Sequence, residues 1–480
     1  MTFYVLYWMT SARRLRSNRA LERAVALARE RHVPLVILEA LRVGYAHASD
    51  RLHRFVIDGM AEHARVLART PITYLPYIER RAGEGRGLLA ALSQHAVTVV
   101  TDDYPAFFLP RMTASAQRQV QVPFEVIDSN GILPMRAAPI CFVTAFSHRA
   151  YIQKVLRDHL KNWPQDISLD DLPQSGALST AISARWPMAT QAELDAPDAL
   201  IASLPINHSI GPRGWTGGEA AAQAALARFV AHGLNNYGED RNQPSVEGTS
   251  RLSPYLHFGH ISAHDIFSSV MNAEKWTSRK LALSGGGKRE GWWGVSPNAE
   301  GFLDQLITWR EVGFNMCVQR PHDYDKYSSL PDWARATLEK HAGDTRKYVY
   351  SRADFEHANT HDPVWNAAQR ELTQTGWMHN YMRMLWGKKI LEWSASPEEA
   401  LAHMTDLMNA YALDGRDPNS YTGYFWTLGR YDRPWAPERD IFGMIRYMSS
   451  DSTVKKWRMK AYLERFGPPN LLGLDARGVR

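Results

Sequence analysis

A change of hydrophobic rhythm part-way along the chain constrains the fold more than any other feature. Up to about residue 130, short apolar runs alternate with helical patterns. Phe3-Tyr4-Val5-Leu6-Tyr7-Trp8 reads as a buried strand, and Asn18 to Arg31, rich in Ala, Leu, Glu and Arg, as a helix. Val33-Pro34-Leu35-Val36-Ile37-Leu38 reads as a second strand. A helix across Asp50 to Ala68 follows, with further short apolar runs at 73–75, 97–101 and 124–127. Buried strands that alternate with helices predict a parallel, doubly wound sheet over residues 1–130. No G-x-G-x-x-G string and no Walker loop occurs there, so a nucleotide-phosphate site in this domain is unsupported.

From about residue 206 the pattern turns helical, over 217–233, 259–272, 300–317, 333–341, 362–393 and 397–413, with Pro and Gly between segments and few strand signals. The stretch 131–205, rich in Pro, Ser, Asp and Ala, reads as a connector with some helix. The expected organisation is thus an α/β domain at 1–130, a linker at 131–205 and an all-α domain at 206–480. The insert Ser284-Gly285-Gly286-Gly287-Lys288-Arg289-Glu290-Gly291-Trp292-Trp293-Gly294 is either a basic, aromatic contact loop for DNA or a plain solvated loop.

A net charge of +6 favours an anionic partner, nucleic acid first. Two cysteines, Cys141 and Cys317, exclude a disulfide framework and a cysteine-built metal site. They suit a reducing cytosol, and a cytoplasmic protein without a metal is expected. The apolar opening ends after Trp8, ahead of Arg13, Arg14 and Arg16, which is too short for a signal segment. No run reaches membrane-spanning length, so no membrane partner is expected.

The richest local pattern is Gly376-Trp377-Met378-His379-Asn380-Tyr381-Met382-Arg383-Met384-Leu385-Trp386, followed by Lys388, Lys389 and Trp393. On a helix, Trp386 and Trp393 fall on one face. Trp365 lies upstream in Asp362-Pro363-Val364-Trp365-Asn366. Such a helix is either ordinary core or a conduit for electrons.

Further strings stand in order along the helical half. They are Arg251-Leu252-Ser253-Pro254-Tyr255-Leu256-His257-Phe258-Gly259-His260-Ile261-Ser262, then Trp309-Arg310-Glu311, then Leu413-Asp414-Gly415-Arg416-Asp417-Pro418, and Ile445-Arg446-Tyr447-Met448. With Tyr7-Trp8-Met9 and Val100-Thr101-Asp102, they resemble the photolyase/cryptochrome family, most closely the class II cyclobutane pyrimidine dimer (CPD) photolyases. The resemblance runs nearly end to end, strong in 237–448 and weak in 130–205.

The resemblance implies a Rossmann-like α/β domain and an all-helical domain that holds FAD folded in a U. Thr249, Ser250, Leu252 and Ser253 match the segment that wraps the FAD pyrophosphate, and Tyr237 a flavin-pocket residue. Arg310 would offer a donor fork to phosphate or to Glu311. Asp414, Gly415 and Asp417 match the adenine/ribose and flavin-ring segment. Arg383 matches a residue along the flavin ring. Trp386, Trp365 and Trp393 match the electron-transfer chain, with Trp386 nearest the flavin, Trp365 in the middle and Trp393 at the surface. Leu385 stands where class II members have Tyr.

For DNA, Arg241 and Asn242 match a pair beside the lesion, and Trp309 and Trp426 the aromatic walls around a flipped dimer. Met384 matches the pocket floor. Asn380 matches the Asn of the class I CPD branch, where class II typically has Gly. Two departures stand out. Gln305 replaces the lesion-binding Glu; Gln donates through N–H groups but gives up no proton. Met408 replaces the Asn that hydrogen-bonds flavin N5, unless a one-residue slip lets Asn409 serve. The implied function is a light-driven, FAD-dependent photolyase, a carbon–carbon lyase that acts as a monomer on UV-damaged DNA. The alternative is a cryptochrome-like blue-light photoreceptor that signals to a protein partner. A (6-4) photolyase ranks third, because its histidine pair is replaced by Asn380 and Met384. An antenna chromophore of deazaflavin or folate type is left open.

Overall fold

A computed structural model describes residues 3–174 and 178–467. Residues 1–2, 175–177 and 468–480 of the expected segments lie outside the described residues. The chain divides into two compact bodies. One holds the residues up to Ala137, Leu156–Ala227 and Arg251–Ser269; the other holds Ala138–Val155, Arg228–Ser250 and the residues from Val270 onward.

The first body is built on a five-stranded parallel sheet: β1 (Tyr4–Met9), β2 (Leu35–Leu41), β3 (Thr73–Ile78), β4 (Ala96–Asp103) and β5 (Phe124–Asp128). Their order is β3-β2-β1-β4-β5. Alternate residues of β1 feed two separate cores. Val5, Tyr7 and Met9 pack under the helix Arg19–Arg31, whereas Tyr4, Leu6 and Trp8 pack on the other face. A strand covered on both sides reads as an unbroken apolar run, as β1 does. Asn18 starts its helix by accepting from the backbone N–H of Ala20 and Leu21.

The strand order reverses between β1 and β4, the place where a doubly wound sheet commonly receives an anion. Here the Asp102 carboxylate fills that role. It accepts from the N–H groups of Thr10, Ser11 and Ala12 at 2.7, 2.8 and 3.0 Å, and from the Tyr7 hydroxyl at 2.8 Å. Three N–H groups that could cradle a phosphate are thus satisfied internally, in keeping with the missing phosphate loop.

The stretch expected as a connector is more ordered than its composition suggests. It holds the helix Ala145–His159 and three short helices, Thr180–Arg185, Gln191–Asp195 and Pro197–Ala202. Trp186 enters the sheet core, and Leu194, Leu200, Ile201 and Leu204 pack with Val56, Ile57 and Met60. Apolar residues at irregular spacing can dock on a core without leaving a periodic signal.

The second body is helical, and no named strand lies in it among the described residues. The helices Pro297–Leu303 and Arg310–Gln319 are joined by a π-helical turn, Asp304–Trp309. The 362–393 pattern is two helices, Pro363–Thr375 and Asn380–Trp393, because Gly376 (φ 76°) takes the left-handed conformation that ends the first. The second packs against the first and against Pro397–Tyr411 and Pro418–Thr427. At Gly387 a Cβ would stand 2.5 Å from Thr427 Cγ2, so only glycine permits that approach.

Candidate functional site

Three indoles form a row inside the second body. The rings of Trp386 and Trp365 are stacked, 6.4 Å between centroids and 5° between planes. Trp365 and Trp393 meet edge-on at 5.9 Å. The Trp365 indole N–H donates to the Trp386 carbonyl at 3.0 Å, and that of Trp386 to Gln369 Oε1 at 2.8 Å. The bonds and the burial hold the Trp386 and Trp365 rings in place.

The expectation that Trp393 lies at the surface is corrected: it is 2% exposed. Tyr350 and His361 cover it at 5.6 and 5.0 Å, and Lys389 Nζ stands 5.3 Å from its ring. The Tyr350 hydroxyl meets His361 Nδ1 at 2.7 Å, and Tyr348 stacks on His361 at 3.7 Å. This cluster, with His361 exposed, carries the aromatic row on to solvent.

Arg383 stands one helical turn before Trp386 and on the same face. Its Nη2 donates to both oxygens of Asp414 at 2.9 Å, and its Nε to the Met378 carbonyl at 2.9 Å. The structure therefore brings Arg383 and Asp414 together. Asn409 Oδ1 accepts from the Arg416 backbone at 2.9 Å. Arg416 (φ 66°) turns its guanidinium to the carbonyls of Asn409, Ala412 and Leu413, the last turn of helix Pro397–Tyr411 and the residues after it. Met408 is buried, and a Cβ at Gly415 would lie 2.4 Å from its carbonyl oxygen. Asp417 caps helix Pro418–Thr427 through Asn419 N–H at 2.8 Å.

Tyr237 is buried between Phe229 and Phe302, and burial raises its hydroxyl pKa. The Arg241 guanidinium lies 5.4 Å from its ring. Thr249 and Ser250 follow Gly248, which packs against Asp240 where a Cβ would stand 2.3 Å from that residue's Cβ. Leu252 and Ser253 belong to the first body, at the start of helix Ser253–Phe258, which no side chain caps. Arg310 is buried with its guanidinium 4.5 Å from the Phe314 ring. Gln305 and Trp309 lie in the π-helical turn, a rare geometry that recurs at functional sites.

A cavity of about 770 Å³ opens in the second body. Among its lining residues are Asn242, Met384 and Trp426, three that the sequence reading assigned to DNA or catalysis. Arg241, Gln305, Trp309 and Asn380 are not among its lining residues. Trp309 packs instead beside Phe142, Val312 and Tyr431. The lining holds four cationic side chains, Arg289, Arg439, Arg446 and Lys456, and no carboxylate.

No family model matches the chain. It is 32% identical over 462 residues to a deoxyribodipyrimidine photo-lyase of Methanothermobacter thermautotrophicus, covering 96% of this chain and 94% of that one. It is 33% identical to the deoxyribodipyrimidine photo-lyase of Oryza sativa subsp. japonica, covering 96% and 86% of the two chains. The chain belongs to the photolyase/cryptochrome family. Solved members share the fold. A class III photolyase of Agrobacterium tumefaciens superposes with a TM-score of 0.63 at 17% identity, over 97% of this chain and 86% of that one. A Synechocystis cryptochrome does so with 0.64 at 15% identity, over 96% and 88%.

The photolyase/cryptochrome family generally binds FAD. The donor set of this member fits a flavin: a partly exposed arginine fork, one turn from the inner indole, beside the buried carboxylate of Asp414. No group of His, Cys, Asp or Glu able to hold a metal occurs among the described residues, and no helix there is long and apolar enough to cross a membrane.

Much of the cavity wall of this photolyase/cryptochrome member has no role assigned from the sequence, although the Ile445-Arg446-Tyr447-Met448 string forms part of it. Arg446 pairs with Asp432 at 2.8 and 3.1 Å and lies 3.8 Å from the Trp435 ring. Lys456 and Trp457 sit side by side in the chain, with the ammonium 4.8 Å from the indole. Cation–aromatic neighbours of this kind were the available signal. Behind Trp426 lies Lys388, wholly buried, its Nζ 4.9 Å from the ring and 2.6 Å from the Thr427 carbonyl. Burial pushes its amine down to about 7, while Asp432 raises it and Arg446 lowers it further. The folded value lies below the unfolded one, so between the two the unfolded chain holds the extra proton. Stability therefore rises as pH climbs from about 7 towards about 10. Lys388→Met is expected to lose that rise, as urea midpoints measured across this range will report.

Proposed function

We propose that this chain is a DNA photolyase that splits cyclobutane pyrimidine dimers in light. The observation that carries the reading is a single helix, Asn380–Trp393, that serves two sites. It carries Trp386 of the indole row, with Arg383 and its partner Asp414 one turn before, and turns Met384 to the cavity. Electron supply and lesion pocket thus share one rigid element. Bound FAD would, when reduced and excited by blue light, supply the electron that opens the dimer and take it back, with no net redox change. Arg383 and Asp414, with Tyr237, Thr249, Ser250, Arg310, Met408, Asn409, Gly415 and Asp417 of the same body, would hold it.

The chain's own groups do the rest. Trp386, Trp365 and Trp393 pass electrons inward, because indoles are easily oxidised and need no proton partner for a fast hop. Trp426 stacks on a flipped pyrimidine, and Met384 shapes the floor. Asn242 and Arg241 hold the opened strand. Gln305 matches the lesion-binding Glu of the family and would donate an N–H to a dimer carbonyl if bound DNA reaches past the present cavity lining, which does not include it. The test is a light-dependent repair assay on purified, photoreduced protein with dimer-containing DNA. Loss of dimers in light and not in darkness supports the reading.

A cryptochrome-like photoreceptor is the second reading, and the two substitutions Gln305 and Met408 favour it. Tight flavin binding and photoreduction without repair of either lesion class would decide for it. Gln305→Glu separates the two further. Its carboxyl would enter beside Asp304, whose charge Arg149 already neutralises at 2.7 and 3.1 Å. A gain in repair on the order of tenfold, or about 1.4 kcal/mol of barrier, is expected; no gain would show that this side chain was not limiting.

A further inference from the structure

The glycine-rich insert at 284–294 is not a free loop. Gln153 clips it twice: its Oε1 accepts from Gly287 N–H at 2.7 Å, and its Nε2 donates to the Lys288 carbonyl at 2.8 Å. Arg149, anchored on Asp304, donates to the Gly287 carbonyl at 3.2 Å. On the far side, Glu300 accepts from Gly291 and Trp293 N–H at 2.5 and 2.8 Å. The two ends of the loop are tied by Ala282 N–H to the Trp292 carbonyl at 2.9 Å. Glycine is needed at the clip itself: a Cβ on Gly285 would sit 2.3 Å from the Gln153 amide, and Gly287 takes φ 77°.

Such a segment would lose much conformational freedom on being fixed, and the buried fastenings offset that cost. Lys288, Arg289 and Glu290 stay exposed between them, and of these three Arg289 alone lines the cavity. Trp292 and Trp293 are buried, so the aromatic half of the expected contact loop is core and cannot stack on bases. Arg289 is exposed and lines the same cavity as Trp426, Met384 and Asn242. No carboxylate among the described residues pairs with it.

We propose that the insert is a fixed arm that offers Arg289 to a phosphodiester beside the flipped bases of damaged DNA. The inference rests on the reading of the cavity as the lesion site. A phosphate is the anion that DNA brings to a cavity wall carrying four cations and no carboxylate. Because the phosphate reaches Arg289 only when the bases leave the helix, the contact adds to damage-specific binding and not to binding of intact duplex. Gln153 acts as a positioning residue: it touches no DNA but fixes the arm.

The test is titration of wild type, Arg289→Ala, Arg289→Lys and Gln153→Ala with a dimer-containing duplex and its undamaged counterpart over a range of salt. For Arg289→Ala on damaged DNA, the slope of log K against log salt should shrink by about 0.9, the signature of one lost phosphate contact. On undamaged DNA the slope should not change. Arg289→Lys should recover most of the slope, and Gln153→Ala should lose part of it although its charge is unaltered. Equal slopes for wild type and Arg289→Ala on damaged DNA would overturn the inference, as would the same loss on both duplexes. Failure of wild type itself to prefer the damaged duplex would instead sink the reading of the cavity.

Discussion

Trp365→Phe will lose most of the light-driven reduction of bound flavin. The middle ring is the only one that touches both others: it stacks on Trp386 at 6.4 Å and meets Trp393 at 5.9 Å. Phenylalanine keeps an aromatic ring in a fully buried site, leaves a small cavity where the indole was larger, and is far harder to oxidise. It also removes the N–H donated to the Trp386 carbonyl, a bond worth about 1 kcal/mol. That loss is small against the stability of a chain this size, so the variant should fold and take up flavin. Photoreduction in the presence of an external reductant should slow by more than roughly tenfold, equivalent to over about 1.4 kcal/mol of barrier. Trp377→Phe, at an indole that contacts His379 and lies outside the row, should keep the wild-type rate. Equal rates for Trp365→Phe and wild type would mean that the row is core packing and nothing more.

The second large effect is expected at Trp426. Its ring lines the cavity, with Lys388 Nζ 4.9 Å behind it and the Arg446 guanidinium at 5.7 Å. A ring fixed before the substrate arrives spends little entropy when a base stacks on it. Base–aromatic stacking contributes about 1–3 kcal/mol per base. Trp426→Ala should therefore weaken binding of dimer-containing DNA by roughly tenfold to a hundredfold. Binding of intact duplex, which leaves the cavity empty, should hold. Trp426→Phe should recover part of the loss. An equal loss on both DNAs would place Trp426 in general folding or phosphate binding instead of lesion recognition.

Both effects were legible through the family resemblance, which matched Trp365 to an electron-transfer chain and Trp426 to an aromatic wall; helical spacing served only the neighbouring helix. Trp386 and Trp393 share a face by their separation alone, and Met384 follows from the same helix. The α/β sheet was legible for a similar reason, since β1 and β2 are unbroken apolar runs. What escaped was whatever the chain assembles from distant pieces. The cover over Trp393 comes from Tyr348, Tyr350 and His361, in loop segments without periodicity. Asp102 stood out only within the Val100-Thr101-Asp102 string, and nothing local showed that three backbone N–H groups converge on it. The Gln153 clip joins residues far apart in the chain, so the insert read as loose. Gln305 and Met408 stood out only against the family pattern, and the π-helical turn that carries Gln305 has no sequence signature of its own.

The claim on which the account depends is that a flavin is held beside Arg383 and Asp414, with the indole row leading away from it. The direct measurement is the absorption spectrum of the purified wild-type protein, before and during blue-light illumination with an external reductant. The account predicts the bands of oxidised flavin, which bleach in the light and stay in the dark. Folded protein without colour that takes up no FAD, or bound flavin that light leaves unchanged, would contradict it.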